Sequence, residues 1–230
     1  MNNKERSSDE FYCPVSISTW RRFLGNLIDK DVSGVKDLYS FKSNLGYNLQ
    51  HLEYLDNLLK TQKLHASVRT LTFKTFVVFG MSVMEGILFY VIGKKSKRKE
   101  ITWTEDFVFT SNFKEYKGKT TRIRNTIEVK LLKPTIKPID LSEMIKTVVN
   151  KKLIPSEVSG TLYKDLSELR ILRNKIHIHG VDGSWDTDWN SFSEKEWYLI
   201  KEVLFGLLGS DLFLYDKNDN ILNFLMLETN

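Results

Sequence analysis

The side chains best suited to chemistry in this chain lie in residues 166–180, LSELRILRNKIHIHG, where Arg170, Arg173, Asn174, His177 and His179 fall close together. An Arg guanidinium offers paired donors to a phosphate and stabilises charge that develops on it. An imidazole titrates near neutral pH, so it can take up or release a proton during a reaction. An Asn beside them could hold a neighbouring group or orient the imidazole. On a helical wheel at about 100° per residue, Leu162, Leu166, Leu169 and Ile176 share one face. Arg170, Arg173 and His177 lie within about 80° of Leu166 on the same count. A solvated helix would put its charges opposite the leucines, so this face changes from apolar to cationic along its length. Arg173 and His177 are four apart and therefore surface neighbours, whereas His179 points roughly 120° away on an ideal helix.

Competing chemistries find little support. His177 and His179 alternate with Ile176 and Ile178, and on a strand they would form an H-x-H pair. A metal hydrolase needs further ligands, but only His51 and His65 remain, with no carboxylate-rich motif to join them. No metal site and no cofactor is expected. No Gly-rich phosphate loop and no G-x-S-x-G elbow is present. Cys13 is the single cysteine, which rules out an intrachain disulfide and a thiolate cluster and fits a reducing compartment.

The spacing of apolar residues places these groups on a mainly α scaffold. Residues 17–31 read as a short amphipathic helix. Leu45, Leu49, Leu52, Leu55, Leu58 and Leu59 mark a second over 45–62. A third runs from about Ala66 through FVVFGMSVMEGILFYVI to Ile92, with Gly93 as its stop. That stretch is slightly short for a membrane span and carries Glu85 in its middle, so a buried core helix and a cytoplasmic protein are expected. Asp140 with Glu143 caps a helix over LSEMIKTVV, and Ser193 with Glu196 caps one through about Leu208. A helix over 157–179 is predicted to end at Gly180. The tail, LFLYDKNDNILNFLML, reads as a small terminal hairpin, with turn residues between two apolar runs.

The character changes at Lys94. From Lys94 to Lys133 there are twelve basic residues against five acidic ones, in a chain whose net charge is +5. The β-branched and aromatic content of 101–133 predicts a hairpin-type insertion joined by FKEYKGK. Residues 1–16 read as a flexible lead, and 17–230 as one domain with an insertion at about 94–138.

Arg173, Asn174 and His179, an Arg followed by Asn and then a His after five intervening residues near a helix end, resemble the motif of the HEPN superfamily. The leucine-rich helix running into LRNKIHIHG and the preceding segment IDLSEMIKTVVNKKLIPSE are similar to that family too. The resemblance covers about 45–92 and 139–208. It implies a HEPN-like helical bundle and a metal-independent endoribonuclease acting as a homodimer, with the motifs of both protomers forming one site. An imidazole would take the proton of a ribose 2′-OH or give one to the leaving oxygen, and Arg173 would clamp the phosphate. The family spacing selects His179. Helix geometry selects His177, and both stay in view. Roles as a toxin or anti-phage effector, with an antitoxin or regulatory partner, belong to the same resemblance.

The family also contains inactive members, so a non-catalytic domain that binds RNA, a nucleotide or a protein partner is the alternative. Lys94, Lys95, Lys97, Arg98 and Lys99, together with Arg170, are candidate RNA contacts, with a solvated turn as the competing reading of the lysine run. Trp103, Phe107 and Phe109 could stack on bases but are expected to form a hairpin core. Glu85 is expected to be a satisfied structural carboxylate.

Overall fold

Helical capping and three-and-four apolar spacing build most of this chain, and the computed structural model describes residues 12–176, 183–216 and 220–227. Two units separate, Met1–Lys95 with Asp140–Asn230, and Ser96–Ile139.

The first unit is helical. Ser16 accepts from the Thr19 amide and opens α1, Ile17–Gly25, and Asp37 accepts from the Ser40 amide at 2.6 Å to open α2, Leu38–Thr61. Each such cap contributes about 1 kcal/mol. α1 is shorter than its apolar pattern implies, and α2 starts seven residues before the expected 45 because Asp37 caps it there. α3, Ala66–Lys95, is the central helix: α2, α4 (Leu141–Asn150), α5 (Ser156–Asn174), α6 (Asp188–Ser191) and α7 (Glu194–Leu208) all pack on it. It is apolar around its circumference, as a helix enclosed on several sides should be. Phe76, Val77, Met81, Met84, Ile87 and Leu88 are fully buried. By length and composition α3 could cross a membrane, yet 61% of its most apolar window is buried against this chain's own elements.

Two glycines let neighbours approach α3 closely. A Cβ at Gly80 would stand 2.6 Å from Ile200 Cγ1 of α7, and one at Gly86 would stand 2.9 Å from Leu45 Cδ2 of α2. Gly93, expected to stop α3, does not. It sits under Val32, where a Cβ would lie 3.1 Å from that side chain, and the helix continues to Lys95.

The tail differs from the expected terminal hairpin. Residues Asn220–Leu225 form a 3-10 helix that packs on α7 and α2. Ile221, Leu222, Phe224 and Leu225 are all buried. Their one-three-four spacing gives a helical turn an inward face, while a strand would turn about half of them outward.

The second unit is a ribbon. β1, Glu100–Thr110, pairs antiparallel with β4, Arg124–Ile136, and at its tip β2, Lys114–Tyr116, pairs with β3, Lys119–Thr121. Lys117 and Gly118 both have positive φ, 49° and 69°, the backbone that a tight two-residue hairpin turn needs.

Candidate functional site

Arg173 lies on α5 where the helix's inward stripe ends. Leu162, Leu166 and Leu169 are buried at spacings of four and three, and Arg173 comes four residues later on the same line. It therefore faces the bundle, and its Nη2 donates to Glu85 Oε2 of α3 at 3.1 Å. Glu85 sits between buried turns of α3, with Met81 and Leu88 fully enclosed on either side. A carboxylate in that setting needs a partner, and Arg173 supplies it, as the structural reading of Glu85 anticipates. Both side chains are about a third exposed, 32% and 30%. The pair is open to solvent, and among the described residues the contact with Glu85 engages one of the five guanidinium donors. Such a pair contributes roughly 1 kcal/mol or less to stability.

α5 stops at Asn174, five residues short of the expected 179, and Asn174 is exposed. The chain tightens there: the Lys175 amide donates to Leu172 O at 3.0 Å and the Ile176 amide to Arg173 O at 3.3 Å. Tertiary bonds accompany the early stop. The Lys175 ammonium pairs with Asp186 and donates to Ser191 Oγ at 2.9 Å, so the end of α5 is tied to the segment that returns toward α7. α6, within that segment, is held to α3 by Lys74, whose Nζ meets both Asp188 oxygens at 2.8 and 2.9 Å. His177 and His179 lie outside the described residues. Arg170 is half-buried, one turn before Arg173.

The lysine run divides between the units. Lys94 Nζ donates to Leu27 O at 2.8 Å and to Asp29 Oδ1 at 2.7 Å, and Lys95 Nζ donates to Leu153 O at 3.0 Å. The ammonium of Lys94 holds the Asp29 carboxyl below the usual carboxylate range. These bonds tie the end of α3 into the first unit, with Lys94 part-buried and Lys95 exposed. Lys97, Arg98 and Lys99 belong to the second unit. Lys97 and Lys99 are exposed there, and Arg98 Nη2 donates to Lys137 O at 3.2 Å. The run is thus shared between the two units. Among the described residues no group of three or more His, Cys, Asp or Glu side chains could hold a metal ion.

A second ionic cluster escaped the sequence reading. Lys201 Nζ of α7 meets Asp56 Oδ1 of α2 at 2.7 Å with 1% and 3% of the two side chains exposed, and Lys60 reaches the other oxygen of Asp56 at 3.0 Å. Lys201 also lies over the Trp197 ring, 4.6 Å from its centroid. Burial lowers the Lys201 pKa, and its bond to Asp56 works against that. The signal was available: Leu52, Leu55, Asp56 and Leu59 make a core stripe, as do Trp197, Ile200, Lys201 and Leu204, and each stripe carries one charge. A half-open groove of about 430 Å³ adjoins the cluster, lined in part by Lys60, Arg69, Glu194 and Tyr198.

Compared with known protein families, with curated proteins and with solved structures, the chain finds no match.

Proposed function

We propose that this chain is a HEPN-like, metal-independent endoribonuclease that acts as a homodimer. Arg173 clamps the scissile phosphate, one of His179 and His177 transfers the proton of the 2′-OH, and Asn174 orients the reacting groups. The observation that carries this reading is that Arg173 is held by Glu85 and yet about a third exposed rather than enclosed. Charge fixed before the reaction stabilises a transition state without the cost of reorganising, and a carboxylate partner supplies that fixing for a long, flexible side chain. A role as toxin or anti-phage effector in the cytoplasm, restrained by an antitoxin or regulator, follows the same resemblance.

The alternative, a non-catalytic domain that binds RNA, a nucleotide or a protein, draws on the same ion pair, because a guanidinium neutralised by Glu85 can be structural alone. Purified protein incubated with single-stranded RNA in EDTA separates the two. Cleavage that survives EDTA and disappears in His179→Ala, with the protein sedimenting as a dimer, supports the nuclease. Loss in His177→Ala instead transfers the role to that residue. No cleavage by the intact chain leaves the binding module, and cleavage abolished by EDTA refutes the mechanism.

A further inference from the structure

The second unit, Ser96–Ile139, holds eleven Lys and Arg against five Asp and Glu, a net +6 in a chain whose total is +5. All of the basic excess is therefore on the ribbon, and the rest of the chain sums to −1. The register also sorts the ribbon's side chains. Phe107 stands opposite Ile127 and Phe109 opposite Asn125, with Val129 two residues beyond Ile127 on the same face. The other face carries Glu105 opposite Glu128, Val108 opposite Thr126, Thr110 opposite Arg124 and Trp103 opposite Lys130. One face is apolar and aromatic, the other largely polar. The hairpin core expected of these aromatics is not formed: Phe107, Phe109, Ile127 and Val129 are 46–59% exposed. At the tip, Phe113 and Tyr116 are more exposed still, with the Arg122 guanidinium 5.9 Å from the Phe113 ring and the Lys117 ammonium 5.4 Å from that of Tyr116.

We infer that the apolar face of this ribbon is a platform for single-stranded RNA. Two strands without a covering layer are marginal on their own, so an exposed aromatic face on them calls for an occupant. Charge decides which. Two ribbons of +6 laid face to face would repel, while a polyanion matches them, with Lys114, Lys119 and Arg122 at the tip and Lys97, Lys99 and Lys133 toward the root to follow a phosphate backbone. Aromatic rings exposed beside such charges stack unpaired bases, each worth a sizeable share of affinity and tolerant of sequence. An A-form duplex keeps its bases stacked on one another and its major groove too narrow to read, so the strand must be single. The inference rests on the nuclease reading only in choosing RNA over DNA. It places substrate capture on a unit separate from the one carrying Arg173.

Anisotropy of a labelled oligouridylate of about twenty nucleotides, titrated with full-length Arg173→Ala protein so that binding is read without cleavage, tests it. The expected result is tighter binding of this strand than of an RNA duplex of equal length. Phe107→Ala with Phe109→Ala should weaken it roughly tenfold or more and leave its salt slope unchanged. Lys114→Gln, Lys119→Gln and Arg122→Gln together, all exposed positions outside the packing, should flatten the salt slope by about two, near 0.7 for each phosphate no longer neutralised. Thermal unfolding of the helical unit should be unchanged in both variants. Unaltered affinity in both, or a preference for duplex, overturns the inference. So does a dimer that the Phe pair dissolves without changing RNA affinity, because the face is then covered by a second copy. Failure of the parent to cleave RNA would sink the nuclease reading and leave this binding result standing.

Discussion

Replacing Arg173 separates its two possible jobs because they differ in size. As a partner of Glu85 it makes one contact of 3.1 Å with about a third of each side chain exposed. Exposed pairs of this kind couple by roughly 0.2–1 kcal/mol, and in a chain of this length about 1 kcal/mol moves the melting temperature by only about 2–4 °C. As a phosphate clamp, losing a fixed donor at the developing charge costs on the order of 10²–10³ in turnover, about 2.7–4 kcal/mol. The two effects do not overlap. Urea unfolding and single-stranded RNA cleavage in EDTA, measured on Arg173→Ala, Glu85→Gln and the double variant, give both quantities from the same preparations. Arg173→Ala should lose at least a hundredfold in cleavage while unfolding within about 1 kcal/mol of the parent. Arg173→Lys should keep the charge and the stability but remain impaired, because a point charge does not replace the guanidinium fork. Glu85→Gln should stay folded and lose less activity than Arg173→Ala, since it loosens the clamp without removing it. Arg173→Ala protein that is folded and cleaves at the parent rate would refute the reasoning and reduce the motif residue to a structural partner of Glu85.

Two further outcomes follow from groups away from that site. Asp56→Ala strands the Lys201 ammonium in the core and should cost about 3–5 kcal/mol in urea unfolding, whereas Asp56→Leu with Lys201→Met should restore most of it; a loss below about 1 kcal/mol in the single variant would contradict the burial of that pair. His51 stacks edge-on against Phe79 at 4.8 Å, and burial lowers its pKa. Below about pH 6.5 the unfolded chain then takes up the proton before the folded one. Stability contributed by neutral His51 is present above that value and is lost as pH falls through it toward the lowered folded pKa. Thermal unfolding between pH 7.5 and 5 should therefore fall more steeply in the parent than in His51→Gln, and parallel curves would count against it.

The sequence shows the scaffold well and its long-range partners poorly. Leucine spacing locates α2 and α5, and the Asp140 and Ser193 caps locate α4 and α7, because those signals act within a few residues. Where the reading failed, a contact from far along the chain decided the outcome. Gly93 looks like a stop, but packing beneath Val32 carries α3 to Lys95. Gly180 looks like the end of α5, but the ties from Lys175 to Asp186 and Ser191 accompany an end at Asn174. The turn-rich DKND stretch suggested a hairpin, while burial of Ile221, Leu222, Phe224 and Leu225 requires a helical turn.

The most useful signal was a charge at a position where a helix's apolar stripe predicts a hydrocarbon. It marks Asp56, Lys201 and Arg173 alike, and each has an opposite charge across the bundle in a partner helix. The wheel cannot say which charge serves chemistry, because it counts faces and not depth. Depth separates them here. Lys201 and Asp56 are 1% and 3% exposed, too enclosed for a phosphate to reach. Arg173 and Glu85 keep about a third of their surface, and Arg173 stands one residue before the end of α5. Lys201 and Asp56 themselves offer a ligand almost no surface, whereas Arg173 and Glu85 offer about a third of theirs, which is the condition the proposed phosphate clamp needs.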